Sequence, residues 1–385
     1  MLVTYFIDNK LGGVTSLNYN LTAHPLDLDE RQCVIHIEEE ELTMSRADIH
    51  FPVDKEVYFR FSLDDNTYHT LKTLRKLIPD EEGALVLNYG NEMAMLDHYP
   101  VRQTTYQLVH DNYNYKLAIK YGHVVDVFIC HNSDIYQRLL DLYPERKGEI
   151  FYLPHGVPLP PAFREADIEP RPLQLVFLGR MTSSKGIYDL LVINDLLRAN
   201  KIEFEWTCIG NGPELGILQK QWNKADKVSF ISPASNAEVL VALKGKDIFV
   251  LPTKFEGTPV SLLETMSVGL VPVITNLPGG ITDIVDEATG FKIEMDNNKG
   301  FAEAIKILYH NREMLNSFSK NAREKIIRGY NVSDTAVRYH ELFMRYREFY
   351  KSKSCKRIKV GARLDQPFFP TSITKSLRKI SNKFK

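Results

Sequence analysis

The sequence predicts an α/β protein of two domains, each wound around a mainly parallel sheet, and three observations carry that expectation. At 385 residues the chain exceeds the size at which one hydrophobic core usually stops growing. Short β-rich runs alternate with helical patterns along most of its length, the signature of βαβ units. Near the middle, the proline-dense and charged run "VPLPPAFREADIEPRP" (157–172) interrupts the alternation, which then starts afresh.

The candidate strands of the first half are "LVTYFID", "CVIHIE", "VYFRFS", "ALVLNYG", "TYQLVH", "VVDVFIC" and "IFYLPHG". After the interruption come "LQLVFLG", "FEWTCIG", "KVSFIS", "DIFVLP" and "LVPVITN". From about Gly300 to Lys351 the chain reads as helical, with Phe301, Ala304, Ile305 and Leu308 on one face, and "DTAVRYHELFMRYREFYK" continues as a long final helix. The expected division is therefore residues 1–156, a linker over 157–172, a second domain over 173–350 and a tail over 351–385. Ligands of open α/β sheets lie beyond the C-terminal ends of the strands, which points to a cleft between two such domains.

Composition is that of an ordinary globular protein, 44% apolar and 25% charged. The longest apolar runs are far below bilayer-spanning length, and no signal peptide is expected at "MLVTYFIDN". The four cysteines form no CxxC pair, and three fall in candidate strands, so buried free thiols and a cytoplasmic location are expected. The net charge of −1 conceals a basic tail: residues 351–385 hold eleven Lys/Arg and one Asp, leaving an acidic body. No basic stretch interleaved with aromatics occurs in that body, so nucleic acid is not an expected partner.

The stretch "KFEGTPVSLLETMSVGLVPV" (254–273) places Glu256 in a strand-to-helix loop and Glu264 inside the helix that follows. Thr258 suits the N-cap, Pro259 the first turn and Gly269 the C-terminal stop. Helix N-termini favour anions, so two glutamates there are either ordinary solvated charges or acceptors for the hydroxyl groups of a ligand. In "LVFLGRMTSSKG", Arg180 and Lys185 follow a strand end, before a helix expected near Gly186. Such a pair can clamp a diphosphate, Arg by a forked contact and Lys as a point charge, or can be mere surface cations. In "CIGNGPEL", Gly210 and Gly212 let a backbone turn lie close to a flat ligand. "NLPGGITDIV" repeats a strand end with paired glycines, and "DNKLGGVTSL" does so after the first strand, where the amide of Gly13 can meet phosphate.

Taken together, "GR…KG", "GNGP", "EGTPVSLLETMSVGLVPV" and "PGGITDIVDEATGF" resemble the C-terminal domain of family 4 glycosyltransferases, over roughly residues 173–345. The seven-residue gap between Glu256 and Glu264 matches that family's E-x7-E motif. "GGV", "LVHDN" at His110 and "LPHGVP" extend the likeness more loosely into the first half. The resemblance implies the GT-B fold, two Rossmann-like domains facing across a cleft, and retaining transfer of a sugar from a UDP- or GDP-sugar without a metal or other cofactor. It implies that Arg180 and Lys185 hold the donor diphosphate and that Glu264 accepts from ribose hydroxyls. Glu256 would accept from hydroxyls of the transferred sugar. Amides of Gly257, Thr258 and Gly13 would lie near phosphate or sugar, with Gly210 and Gly212 in the donor site and His110 lining the sugar from the first domain. Glu256, His110, Arg180 and Lys185 are thus the expected catalytic set, and a glycan or lipid-linked acceptor of surface polysaccharide synthesis the expected partner.

Two departures stand out: "HGVP", with His155 and Pro158, replaces the family's usual "NGVD", and Ser232 stands where glycine is common. Asp27 and Asp29 in "LDLDE" read as a solvated loop, not as the metal-binding Asp-x-Asp of another transferase fold. The rival functions are a GT-B sugar-nucleotide epimerase, which product analysis would separate, and a non-enzymatic scaffold. In the tail, Ile373, Leu377, Ile380 and Phe384 share one helical face, with cations elsewhere and Phe368 and Phe369 as anchors. Residues 367–385 are therefore expected either to dock on an anionic membrane, peripherally on its inner face, or to pack on the first domain.

Overall fold

In the computed structural model the described residues are 1–8, 12–26, 30–40, 49–160, 171–222, 226–233 and 235–382. Asp27, Asp29 and Phe384, singled out above, and most of the proline-rich run lie outside them. The chain forms two compact units, one of Met1–His131, Ile135–Leu153 and Asp334–Lys385, the other of Asn132–Asp134 and Pro154–Ser333.

The first unit carries β1 (Leu2–Asp8), β2 (Arg31–Glu39), β3 (Lys55–Phe61), β4 (Gly83–Leu87), β5 (Thr104–Val109), β6 (Val127–Cys130) and β7 (Ile150–Tyr152). Every pairing is parallel, in the order β3-β2-β1-β4-β5-β6-β7. The second carries β8 (Leu173–Leu178), β9 (Phe204–Ile209), β10 (Val228–Ile231), β11 (Ile248–Leu251), β12 (Val271–Thr275) and β13 (Phe291–Ile293). Its order is β10-β9-β8-β11-β12-β13, again all parallel. Helices cover both faces of such sheets, so central strands such as β1, with Val3, Tyr5, Phe6 and Ile7 fully buried, read as unbroken apolar runs. β13 is not legible in the sequence because Lys292 interrupts its three residues, whereas β7, equally short, is the apolar run Ile-Phe-Tyr.

The domain limits differ from expectation at the C-terminal end. The helix Val332–Met344 leads the chain back into the first unit, so 334–350 does not belong with the second. Ala336, Tyr339 and Phe343 sink into the core beside Tyr5 and Tyr106, and Tyr106 donates to the carbonyl of Leu342 at 3.1 Å. Tyr339 and Phe343 each contribute about 1.5–3 kcal/mol through burial, which outweighs sequence adjacency. The final helix is also not continuous: it stops at Met344 and a short turn of helix, Tyr346–Phe349, follows.

The expected linker is partly structured. Val157 forms a parallel bridge with Asn331, donating to Tyr330 and accepting from Val332. Arg171 grips Asp247 through two hydrogen bonds of 2.6 and 2.9 Å. Cys33, Cys130 and Cys208 are buried and free, as expected.

The tail packs on the first unit by backbone and polar contacts. Asp97 accepts from the amides of Lys356, Arg357 and Ile358, and Asn66 donates to the carbonyls of Gln366 and Phe369. The last helix is Thr371–Asn382.

Candidate active site

Each sheet has one place where the chain reverses its direction of winding: between β1 and β4 in the first unit, between β8 and β11 in the second. A crevice opens beyond the strand ends at such a switch point. In the second unit the loop after β8 carries Arg180 and Lys185, and the loop after β11 carries Glu256. The neighbouring strands bring these two loops together.

The contact between them is specific. Lys185 Nζ donates to Glu256 Oε1 at 2.6 Å, with the Glu256 side chain only 8% exposed. The backbone secures that approach: the amide of Lys254 donates to Ser184 O at 2.9 Å, and Thr253 Oγ1 to the same carbonyl at 3.3 Å. Arg180 is exposed, and its guanidinium has no ion pair or hydrogen bond among the described residues. Lys185 closes a short 3-10 turn, Ser183–Lys185, and Gly186 follows at φ +72. The α-helix expected near Gly186 starts at Asp189, because that left-handed glycine ends the turn before the helix can begin.

Gly210 and Gly212 serve backbone packing. At Gly210 (φ +138) a Cβ would fall 2.0 Å from Gly179 O, and at Gly212 one would fall 2.5 Å from Met181 O. The "GNGP" turn therefore supports the Arg180 loop from below, with Met181 donating to Asn211 O at 2.9 Å and Ser183 to Glu214 Oε1 at 2.8 Å. Gly210→Ala is expected to lower the unfolding free energy by about 2–4 kcal/mol, since backbone must move. Gly216→Ala, on the helix Leu215–Gln221 with open space around it, serves as control and should be neutral or stabilising in urea denaturation.

The helix after Glu256 is Val260–Ser267, and its N-cap is Pro259, one residue beyond the expected Thr258. Pro259 cannot cap with its side chain, so its carbonyl opens the helix by accepting from Leu262 and Leu263. Gly269 at φ +84 ends it, as expected. Gly257 accepts from the amide of Gly280 at 3.2 Å, which sets the Gly257–Thr258 backbone against the start of the helix Gly280–Ile284. Glu264 is half-buried on the helix, and its carboxylate has no hydrogen bond or ion pair among the described residues. Burial pushes its pKa up to about 7.

In the first unit, Gly13 begins the helix Gly13–Thr22, with Gly12 as its N-cap. His110 directly follows β5 and is buried. Its Nε2 lies 3.0 Å from Asn88 Oδ1, and its ring stacks on that of His131, 4.5 Å between centroids. Asn88 Nδ2 donates to Phe6 O, so Oδ1 is the acceptor and Nε2 of His110 carries the proton. Glu92 accepts from the amides of Asn88 and Tyr89, and burial pushes its carboxyl up to about 8. Sequence reasoning did not single out Asn88 or Glu92; an Asn at the end of "ALVLN" with Glu four residues on is the signal that could have found them. His155 is buried too, which pushes its imidazole down to about 4 and keeps it neutral.

Residues 161–325 match the family model of glycosyl transferases, group 1. The chain is 27% identical over 231 residues to an Escherichia coli UDP-Gal:alpha-D-GlcNAc-diphosphoundecaprenol alpha-1,3-galactosyltransferase, covering 56% of this chain and 59% of that one. It is 28% identical to the putative colanic acid biosynthesis glycosyltransferase WcaL of Escherichia coli K12, over 42% of each chain. The chain thus spans about half the length of these curated relatives. Among solved structures, Anabaena Alr3699/HepE in complex with UDP and glucose superposes with a TM-score of 0.68 at 13% identity, over 89% of this chain and 99% of that one. That likeness concerns the fold, and two parallel-sheet Rossmann-like domains of the GT-B class are what the sequence predicted.

Proposed function

We propose that this protein is a retaining, metal-independent glycosyltransferase, which moves a sugar from a UDP- or GDP-sugar to a glycan or lipid-linked acceptor in surface-polysaccharide synthesis. The observation that carries the reading is the meeting of the Arg180–Lys185 loop with the Glu256–Glu264 segment at the β8/β11 switch point. The glycosyl transferases group 1 match covers this same segment, and the similar Escherichia coli galactosyltransferase acts on a sugar linked to diphosphoundecaprenol.

In this reading the diphosphate is taken by Arg180, whose forked donors stand free of ion pairs among the described residues, and by Lys185. Glu256 holds Lys185 in place before the donor arrives and offers its second oxygen to a hydroxyl of the transferred sugar. Glu264 accepts from the ribose hydroxyls, partners its half-buried carboxylate lacks among the described residues. The leaving nucleoside diphosphate gains negative charge as the glycosidic bond breaks, and fixed cations stabilise that charge most in the transition state. The acceptor is assigned chiefly to the first unit, and His110 and the amide of Gly13 to the donor's sugar and phosphate.

The test is a panel of UDP- and GDP-sugars, with EDTA present, read by thermal shift and by donor hydrolysis. One sugar nucleotide is expected to stabilise the protein and to be slowly hydrolysed, and the product's anomeric configuration should match the donor's. Absence of any stabilisation and hydrolysis across the panel would overturn the assignment.

A further inference from the structure

The C-terminal helix Thr371–Asn382 is docked the wrong way round for a helix that merely completes a core. Thr374 is fully buried and takes a hydrogen bond from Asn66 Nδ2 at 3.3 Å. Lys375 pairs with Asp65 at 2.8 Å, and Arg378 pairs with Asp365 at 2.5 Å while donating to the carbonyls of Leu63 and Asp65. Thr371 Oγ1 lies 3.2 Å from His69 Nδ1. Residues 371, 374, 375 and 378 share one face, so the polar face is the one fixed to the first unit.

The opposite face carries Ile373, Leu377 and Ile380, which are 47%, 40% and 55% exposed. Phe368, just before the helix, is 74% exposed, and Leu63, on the loop that Arg378 grips, is 60% exposed. An amphipathic helix ordinarily turns such a stripe inward. Here polar contacts hold it outward.

The charges of the same tail say what covers it. Lys356, Arg357, Lys359, Arg363 and Lys379 are exposed and have no ion pair among the described residues. From Lys351 onward the sequence has a single acidic residue, Asp365, and that one is buried against Arg378. A face of aliphatic side chains on a tail rich in unpaired cations, with no exposed acidic side chain among its described residues, complements an anionic plane. A second copy of the same face would oppose cation to cation across a two-fold axis, which disfavours self-association.

We propose that this helix is a built-in membrane-docking element: its polar face is strapped to the first unit, and Ile373, Leu377, Ile380 and Phe368 enter the headgroup region of an anionic bilayer. No helix among the described residues is long and apolar enough to cross one, so the contact is peripheral.

The test floats the full chain with vesicles of phosphatidylcholine alone and of an equimolar mixture with phosphatidylglycerol. It needs no sugar nucleotide, so its outcome is independent of the transferase reading. The wild type is expected to float with the mixed vesicles only, and less so as salt is raised. The triple variant Ile373→Ser, Leu377→Ser, Ile380→Ser should bind at least about tenfold more weakly, with an unchanged thermal midpoint because these side chains face solvent. Lys379→Glu should weaken binding about fivefold or more. Failure of the wild type to float with the mixed vesicles would overturn the proposal. So would a triple variant that floats as the wild type does, or one whose only change is the loss of a dimer in light scattering.

Discussion

Lys185→Ala is expected to lower sugar transfer by about 10²–10³-fold, the usual cost of removing a fixed donor from developing negative charge. The same change leaves the Glu256 carboxylate, nearly buried at 8% exposure, without its 2.6 Å partner, and should destabilise the fold by about 1–3 kcal/mol. The two effects can be separated. Lys185→Met combined with Glu256→Gln removes both charges, so stability should return towards that of the wild type while transfer stays lost. Steady-state transfer and urea denaturation on the three proteins decide it. If the double variant regained transfer along with stability, Lys185 and Glu256 would be a structural pair only, and the donor-site assignment would fall.

The second large effect concerns Glu264, whose carboxyl is held near 7 by burial, well above the ordinary carboxylate range. A folded-state pKa above the unfolded one means that the folded protein holds this proton more tightly. The associated stability is fully present below about pH 4.5, falls as pH rises towards about 7, and is then constant; the total is about 3 kcal/mol. Glu264→Gln removes that dependence, so above neutrality the ligand-free variant should melt at a higher temperature than the wild type. Its affinity for the sugar nucleotide should nevertheless fall about 10–100-fold, because a neutral amide replaces a desolvated carboxylate as acceptor. In the wild type, donor affinity should strengthen with a midpoint near pH 7 as Glu264 ionises, and the variant should lack that step. Nucleotide sugars are the right probe because their diphosphate is esterified at both ends and does not titrate in this range. A variant that is no more stable at pH 8 than the wild type, yet binds donor equally well, would remove Glu264 from the site.

Much of this site is legible in the sequence because its addresses are local. A buried strand announces itself by a run such as "LQLVFL" or "DIFVL", and the residues that follow must lie at its C-terminal end. Arg180, Lys185, Glu256 and Glu264 are therefore placed by sequence alone. Their partners are not. Gly210 and Gly212 read as room for a ligand, whereas they admit the backbone of Gly179 and Met181, residues some thirty positions away in sequence. Thr258 has the better capping chemistry, yet the helix opens on Pro259 because the preceding loop is pinned to Gly280 and Ser184.

Side-chain type and spacing along short stretches are enough to specify two parallel-sheet domains, the strand ends that carry the candidate residues, and the basic amphipathic character of the tail. Three further features belong to the folded chain. β8 lies beside β11, so that Lys185 meets Glu256; Asp334–Lys385 returns to the first unit; and the apolar face of the last helix turns outward. Those outcomes depend on burial and hydrogen bonding between residues far apart in the chain, Tyr339 against Leu153 or Arg378 against Leu63, and no local pattern encodes such contacts.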